Sequence, residues 1–397
     1  MAIIGISCFF HDSAAALISD NGEIIAAVQE ERFTRKKYDS NFPYFSIDFC
    51  LQKAHEKKEV ITAYIYYEKP IRVFMRLLET YFYTSPRGIT SFLPAMDSWL
   101  SDKLFSKDNL IKNISLLDNS FKPKKLFFCN HHLSHAAAAF FPSPYQNSAV
   151  LCLDAVGEWS TTTAWIGKDN NLKQIWEIDF PNSLGMLYSS FTYYCGFKVN
   201  SGEYKLMGLA PYGEPIYSDL IKNNLIEIYD DGSYKLNMEY FKFTRGLKMI
   251  SSKFRDLFKF NERFPHEEIT KFHTNLAASI QQVLEECVIK ISKNLKKSTS
   301  QKNLCLAGGV ALNCVANGKI LEESGFENLW IQPASGDSGS ATGAALAYLY
   351  QLKKKYRKLI PNDSMKNCLL GPDYKFEKIK EYLDCLSLDY KIYEYEE

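Results

Sequence analysis

Two stretches of the chain carry the same rhythm of apolar and polar positions. The first copy has apolar runs at residues 3–7 and 12–18, a polar turn at Asp20-Asn21-Gly22, and a third run at 23–29. The second has runs at 149–154 and 160–166, a turn at Lys168-Asp169-Asn170-Asn171, and a third run at 172–177. Short apolar runs bounded by such turns predict strands, and Asn-Gly between two of them predicts a hairpin. The repetition predicts a duplicated α/β unit, each copy followed by helical material that packs on its sheet. Apolar residues at Leu276, Ile280, Val283, Leu284, Cys287, Ile291 and Leu295 predict a core-facing helix over residues 273–297. Leu304-Cys305-Leu306-Ala307 predicts a short buried strand that meets Gly308-Gly309 and turns into another helix. Residues 213–265 are rich in Tyr, Phe, Lys and Asp without a clear period and read as an insertion or lid.

Composition narrows the class. A chain of 397 residues has room for about two to three domains. With 47 basic and 46 acidic residues the formal charge is +1, so no global electrostatic footprint for nucleic acid is present. The ten cysteines form no CxxC pair, and most sit in apolar stretches, which reads as reduced, packed thiols of a cytoplasmic protein. The first residues run into an apolar strand without the basic leader of a secretory signal, and no apolar stretch approaches the ~20 residues that span a bilayer. A membrane role is not expected.

Three of the seven histidines fall within five residues, His131-His132-Leu133-Ser134-His135. Residues i and i+4 of a helix share a face, so His131 and His135 can grip one ion while His132 points away. Asn130 is a candidate N-cap, Ala136 to Ala139 propagate the helix, and Pro142 and Pro144 mark where it cannot continue. An isolated pair of this kind is more often two ordinary helix histidines; the company it keeps decides. Asp154 ends a predicted strand, and Asp337 opens the turn Gly336-Asp337-Ser338-Gly339-Ser340, as an N-cap or as a ligand. Two histidines with two aspartates suit iron or another divalent first-row ion and leave positions open for substrate oxygens.

Other turns add candidate chemistry. His11 and Asp12 follow the first strand, where open α/β sheets bind ligands, and Arg32, Arg35, Lys36 and Lys37 offer charge for phosphates or form a solvated charge run. Asp154-Ala155-Val156-Gly157-Glu158 leads to the hydroxyls of Ser160, Thr161 and Thr162; flexible Gly157 and those hydroxyls suit phosphate contacts, the alternative being a plain hairpin turn. Gly308-Gly309-Val310-Ala311-Leu312-Asn313 lets backbone approach a nucleotide at a helix N-terminus.

These segments in this order, together with the EERFTRKKYD run from Glu30, Asn182-Ser183-Leu184-Gly185, the SGEYKLMGLAPYG run from Ser201 and the GDSGSATGAA run from Gly336, resemble the O-carbamoyltransferase family of antibiotic and nodulation-factor biosynthesis. The resemblance runs from Ile3 to about Tyr374. It implies a duplicated actin-like ATPase (ASKHA) fold similar to the TsaD-type tRNA threonylcarbamoyl transferases, with lobes at residues 1–145 and 146–370, the second holding the insertion near 213–265. It implies metal ligands at His131, His135, Asp154 and Asp337, commonly for Fe2+, and contacts to ATP or carbamoyladenylate from Lys37, Gly157, Glu158, Lys205, Gly308, Gly309 and Asn313. Carbamoyladenylate, made from carbamoyl phosphate and ATP, would pass its carbamoyl group to a hydroxyl of a small-molecule acceptor, with His11 or Asp12 as the base and AMP leaving.

Two departures stand out. Asp154-Ala155 replaces the family's usual Asp-Gly, which touches local turn geometry alone. Gly371-Pro372-Asp373-Tyr374 resembles the junction to the family's YrdC-like domain, so residues 371–397 read as the start of a linker, and the activation step is expected on a YrdC-like domain or subunit outside this chain. A homodimer is the expected assembly. The competing readings are a threonylcarbamoyl transferase acting on tRNA, which the near-neutral charge disfavours, and a non-catalytic scaffold that retains the fold.

Overall fold

A computed structural model describes residues 1–98, 106–361 and 364–393. The predicted repeat folds as two sheets of identical order. In the first, β1 (Ala2–Ser7), β2 (Ala14–Ser19) and β3 (Ile24–Gln29) form an antiparallel meander, and β4 (Ile61–Tyr66) and β5 (Leu126–Phe128) add in parallel on the other side of β1. Its order is β3-β2-β1-β4-β5. The second copy begins with the meander β6 (Asn147–Leu153), β7 (Ser160–Lys168) and β8 (Asn171–Asp179). A ribbon of β9 (Ile226–Ile228) and β10 (Tyr234–Leu236) intervenes. Then β11 (Asn303–Ala307) and β12 (Asn328–Ile331) complete the second sheet in parallel, in the order β12-β11-β6-β7-β8. This duplicated arrangement is the one the internal repeat predicted, and it is the actin-like ATPase fold that the family resemblance implied.

Strand chemistry follows burial. Every residue of β1 and β2 is buried, and their apolar runs are continuous because helices cover both faces of the sheet. β6 shows the period of two instead: Val150 and Cys152 point into a core shared with the first lobe, while Ala149, Leu151 and Leu153 point into a second core under the long helix Lys271–Thr299. That helix buries Leu276, Ile280, Val283, Leu284, Cys287, Ile291 and Leu295, the residues its spacing marked.

Residues 213–265 carry the β9–β10 ribbon and the short helices Ser218–Asn224 and Ser252–Phe258. Tyr234, Phe241, Phe254 and Phe258 are buried in the second core, with Phe254 in T-shaped contact with Phe191 and Tyr194 at centroid distances of 5.2 and 5.1 Å. Elements this short leave no readable period, and aromatic packing holds them in place. Past Gly371, the helix Phe376–Cys385 buries none of its residues, and residues 394–397 of the expected linker lie outside the described residues. No helix among the described residues is long and apolar enough to cross a membrane.

Two helices tie the lobes together. His131–Phe140, which closes the first copy, packs on β6, β7 and β11 of the second sheet, whereas Asp337–Ala347, which closes the second, packs on β1, β2 and β4 of the first. Each therefore sits on the other copy's sheet, and the two pack against each other. Their sequences, HHLSHAAAAF and DSGSATGAALA, are built of small residues, which lets the backbones come close. A Cβ on Gly343 would lie 1.8 Å from the Ser134 carbonyl oxygen, and one on Gly5 of β1 would lie 1.8 Å from that of Ala341.

Gly343→Ala is expected to force the two helices apart and to cost about 1–3 kcal/mol, as overpacking does. Gly318 serves as the control, since a Cβ there meets nothing within 4 Å on the helix Cys314–Glu323. Gly318→Ala should be neutral or stabilising by up to ~1 kcal/mol. Thermal unfolding of the two variants separates the outcomes; equal midpoints would show that the close crossing is not what holds the lobes.

Candidate metal centre

The crossing of these helices creates a buried cluster. His131 and His135 project from one face of the first helix, Asp337 occupies the first turn of the second, and Asp154 follows the last residue of β6. One ligand atom from each of the four lies within 4.8 Å of the others, and all four residues are buried. His131 Nε2 stands 3.1 Å from Asp154 Oδ2, 3.1 Å from His135 Nε2 and 3.6 Å from Asp337 Oδ1. His135 Nε2 is 3.5 Å from Asp337 Oδ1 and 3.7 Å from Asp154 Oδ2. The donor set of two imidazoles and two carboxylates, converging on one point with Nε2 atoms turned inward, fits a divalent first-row ion.

The cluster's electrostatics are those of charges that need each other. Burial lowers the pKa of His131, yet the carboxylates of Asp337, Asp154 and Glu68 outweigh it and hold the imidazole well above its usual value. His135 is raised in the same way by Asp154 and Asp337. Burial raises Asp154, but its hydrogen bonds to His131 and His135 hold it well below the usual carboxylate range, and Asp337 is lowered by His11 and His131. His132 points away, as its position predicts: Nδ1 meets Thr163 Oγ1 at 2.8 Å, and burial, reinforced by its histidine neighbours, pushes its pKa down to about 3.

The expected cap is corrected. Asn130 occupies the N-cap position of the histidine helix, but its side chain makes no capping bond. Glu158 does that work from across the turn, its Oε1 accepting the His131 N–H at 3.1 Å and the Lys69 N–H at 2.9 Å. A carboxylate at a helix N-terminus is favoured both by the open N–H groups and by the dipole. At Asp337 the alternative also resolves, because Gly336 holds the N-cap position and the aspartate side chain is free to face the histidines.

The other candidate residues divide by place. His11 Nδ1 is 2.9 Å from Asp12 Oδ2, and His11 Nε2 is 3.7 Å from Asp337 Oδ2. Burial lowers the pKa of His11, but Asp337 and Asp12 outweigh it and raise the imidazole to about 9. Gly308 takes φ +89°, where its missing Cβ avoids the Leu153 carbonyl, and the Gly309 N–H donates to Asp154 Oδ1 at 3.1 Å. Gly157 lies against the histidine rings, a Cβ there being 2.8 Å from His132 and 2.9 Å from His131. Asn313 caps the helix Cys314–Glu323 and exchanges hydrogen bonds with Gln281 at 2.8 and 3.1 Å. Lys37 lines an open cavity of about 840 Å³ with Arg32 and Arg35. Asp12 lines that cavity and also a smaller one of about 190 Å³ that holds His11, Asp154, Gly309 and Asn313. Lys205 is exposed, 6.0 Å from the Tyr204 ring centroid, and lines neither cavity.

Sequence reading missed Glu68, Ser340 and Arg76. Glu68 Oε2 is 3.8 Å from His131 Nδ1, and Ser340 Oγ is 3.2 Å from His135 Nδ1, so each histidine has a polar group behind it. Arg76 donates to the Gly157 carbonyl. Glu68 lies two residues past the end of β4, and the C-terminal edge of a parallel strand was the available signal.

A duplicated actin-like fold thus meets at a cluster of candidate ligand residues between its two sheets. A family model described as "Carbamoyltransferase N-terminus" matches residues 2–346, and the chain belongs to that carbamoyltransferase family. It is 52% identical over 384 residues to the protein named sll1178 of Synechocystis sp., covering 96% of this chain and 62% of that one. It is 31% identical over 376 residues to nodulation protein NolNO of Sinorhizobium fredii, covering 94% of this chain and 51% of that protein. The chain thus spans about half to three fifths of the length of these relatives. Among solved structures, component A of (R)-2-hydroxyglutaryl-CoA dehydratase from Acidaminococcus fermentans is similar at 17% identity and a TM-score of 0.45, covering 89% of this chain and all of that one.

The donor set predicts tight binding of a divalent ion such as Fe2+, measured by titration calorimetry under anaerobic conditions. His135→Ala and Asp154→Asn should each weaken it by more than the ~10–100-fold that outer-shell changes cost. Because protons on the raised histidines must leave before the nitrogens can bind an ion, affinity should fall as pH falls. Unchanged affinity in both variants would remove the metal reading.

Proposed function

We propose that this chain is the transfer unit of an O-carbamoyltransferase, moving a carbamoyl group from carbamoyladenylate to a hydroxyl of a small molecule. The single observation that carries the reading is the meeting of His131, His135, Asp154 and Asp337 at one point beside a cavity that also holds Gly309 and Asn313, in a chain of the carbamoyltransferase family. Fe2+ held by those four residues would supply Lewis-acid stabilisation of the charge that develops on the departing phosphate. The adenosine end belongs in the cavity of about 190 Å³, between Tyr188 and the Gly309–Asn313 turn. The acceptor belongs in the open cavity of about 840 Å³, where Arg32, Arg35 and Lys37 orient polar groups.

Asp12 stands on the boundary of both cavities and is the base in this reading. It takes the proton of the acceptor hydroxyl as that oxygen bonds to the carbamoyl carbon; the bond from that carbon to the phosphate oxygen breaks, and AMP leaves with the electron pair. His11 carries a proton at neutral pH, and its bond to Asp12 holds the carboxylate in place while its Nε2 faces Asp337. The donor itself would be formed from carbamoyl phosphate and ATP by a YrdC-like domain or subunit, and the enzyme would work as a cytoplasmic protein, as a homodimer.

Asp12→Asn should lower the rate of transfer from supplied carbamoyladenylate by roughly 10²–10⁴-fold, the usual range for losing a general base. Affinity for the adenylate should stay within about twofold. Rate measurements with a panel of hydroxyl acceptors test this; a variant that turns over at the wild-type rate assigns the proton to another group.

A further inference from the structure

A third cavity, of about 200 Å³, also borders the cluster. It meets the cluster at His131 and Asp337, whereas the adenosine cavity meets it at Asp154. Phe9, Tyr66 and Tyr67 contribute aromatic rings to its walls, and beyond His131 and Asp337 of the cluster the lining carries two further charged side chains, Glu68 and Arg76. These two are opposite in sign and line one small space, yet among the described residues no carboxylate oxygen lies within 4.0 Å of the Arg76 guanidinium. Arg76 instead donates to the Gly157 carbonyl, with its guanidinium carbon 5.6 Å from the Phe180 ring centroid. Glu68 has His131 Nδ1 at 3.8 Å, beyond hydrogen-bond reach, and that buried nitrogen has no hydrogen-bond partner. Half-buried opposite charges that share a cavity without pairing leave a donor face and an acceptor face separated by a gap. Each retains hydrogen-bonding capacity that the protein does not use.

We infer that this chamber is the seat of the carbamoyl group itself: Arg76 donates to the carbonyl oxygen and Glu68 accepts from the NH2. The inference rests on the transfer reading above and extends it to the recognition of the transferred group. A carbamoyl group is planar, with an acceptor oxygen and an NH2 donor on the same carbon, and so can bridge a guanidinium and a carboxylate that do not touch. An acetyl group has the same size and shape but puts CH3 where the carboxylate needs a donor. Seating CH3 there would leave the chamber-facing oxygen of the carboxylate without a donor, and sites built on such hydrogen bonds reject analogues that lack them. The rings of Phe9, Tyr66 and Tyr67 would limit the access of water to the carbonyl carbon and so slow hydrolysis of the donor.

Three stable adenosine probes test this on the full chain, with and without Fe2+, by titration calorimetry: N-carbamoylsulfamoyl adenosine, its N-acetyl counterpart, and sulfamoyl adenosine carrying neither group. Wild type is expected to bind the carbamoyl probe at least about 10-fold more tightly than the acetyl probe. In the absence of Fe2+, Glu68→Leu and Arg76→Leu should bring the two within about twofold of each other while leaving the bare sulfamoyl adenosine unchanged, which also reports that the variants are folded. Val73→Trp, which fills the chamber from the helix Pro70–Thr84, should weaken both acylated probes and spare the bare one. Equal binding of the carbamoyl and acetyl probes by wild type, or discrimination that survives both leucine variants, overturns the chamber assignment and leaves the transfer reading standing. Failure of the wild-type chain to bind any of the three probes overturns the transfer reading and the chamber with it.

Discussion

The backbone-to-backbone approach of the helices His131–Phe140 and Asp337–Ala347 is the contact on which the site depends. Gly343 sits against the Ser134 carbonyl, one turn beyond His131 and beside His135, and no side chain fits between. Because each helix lies on the sheet of the opposite copy, this one crossing sets both the relation of the lobes and the separation of the histidines from Asp337. A shift of one methyl group at the crossing would move ligand atoms by an amount comparable with the tolerance of a metal site.

The cluster exacts an electrostatic cost that the surrounding turns meet. Two histidines and two aspartates are taken out of water together, and such groups are tolerable when each finds an opposite charge or a donor. Asp154 accepts from the Gly309 N–H, which ties the end of β6 to the turn after β11, and His135 Nδ1 faces Ser340. Glu158 fastens the start of the histidine helix, and Gly157 leaves room for its rings. Several residues that resemble ligand contacts in a sequence thus hold the shell around the cluster, and the cavities border that shell on more than one side.

The two repeats use corresponding loops. His11 and Asp12 lie late in the loop between β1 and β2, whereas Asp154 opens the loop between β6 and β7, so each meander's first turn brings a carboxylate to the junction from a different position. One of the pair lies within the ligand cluster and the other lies where two cavities join. A duplicated fold can in this way bring two carboxylates toward one junction from one structural motif used twice.

Local order was legible in the chain because it is written locally. Alternation and turn residues marked the two meanders, apolar spacing marked the helix Lys271–Thr299, and the i, i+4 pairing of His131 and His135 follows from helix geometry alone. The candidate histidine pair and the two strand-end or helix-start aspartates could be named for the same reason: each stands at a position whose geometry is set by its own neighbours. What the tertiary structure decided is everything that depends on partners distant in sequence. Glu158 rather than Asn130 caps the histidine helix, Lys205 is exposed and lines neither ligand cavity, and Glu68 and Arg76 share a chamber with residues more than 50 positions away. No periodicity encodes such meetings, because they are fixed by how two sheets and two small-residue helices pack, and packing is a property of the whole chain.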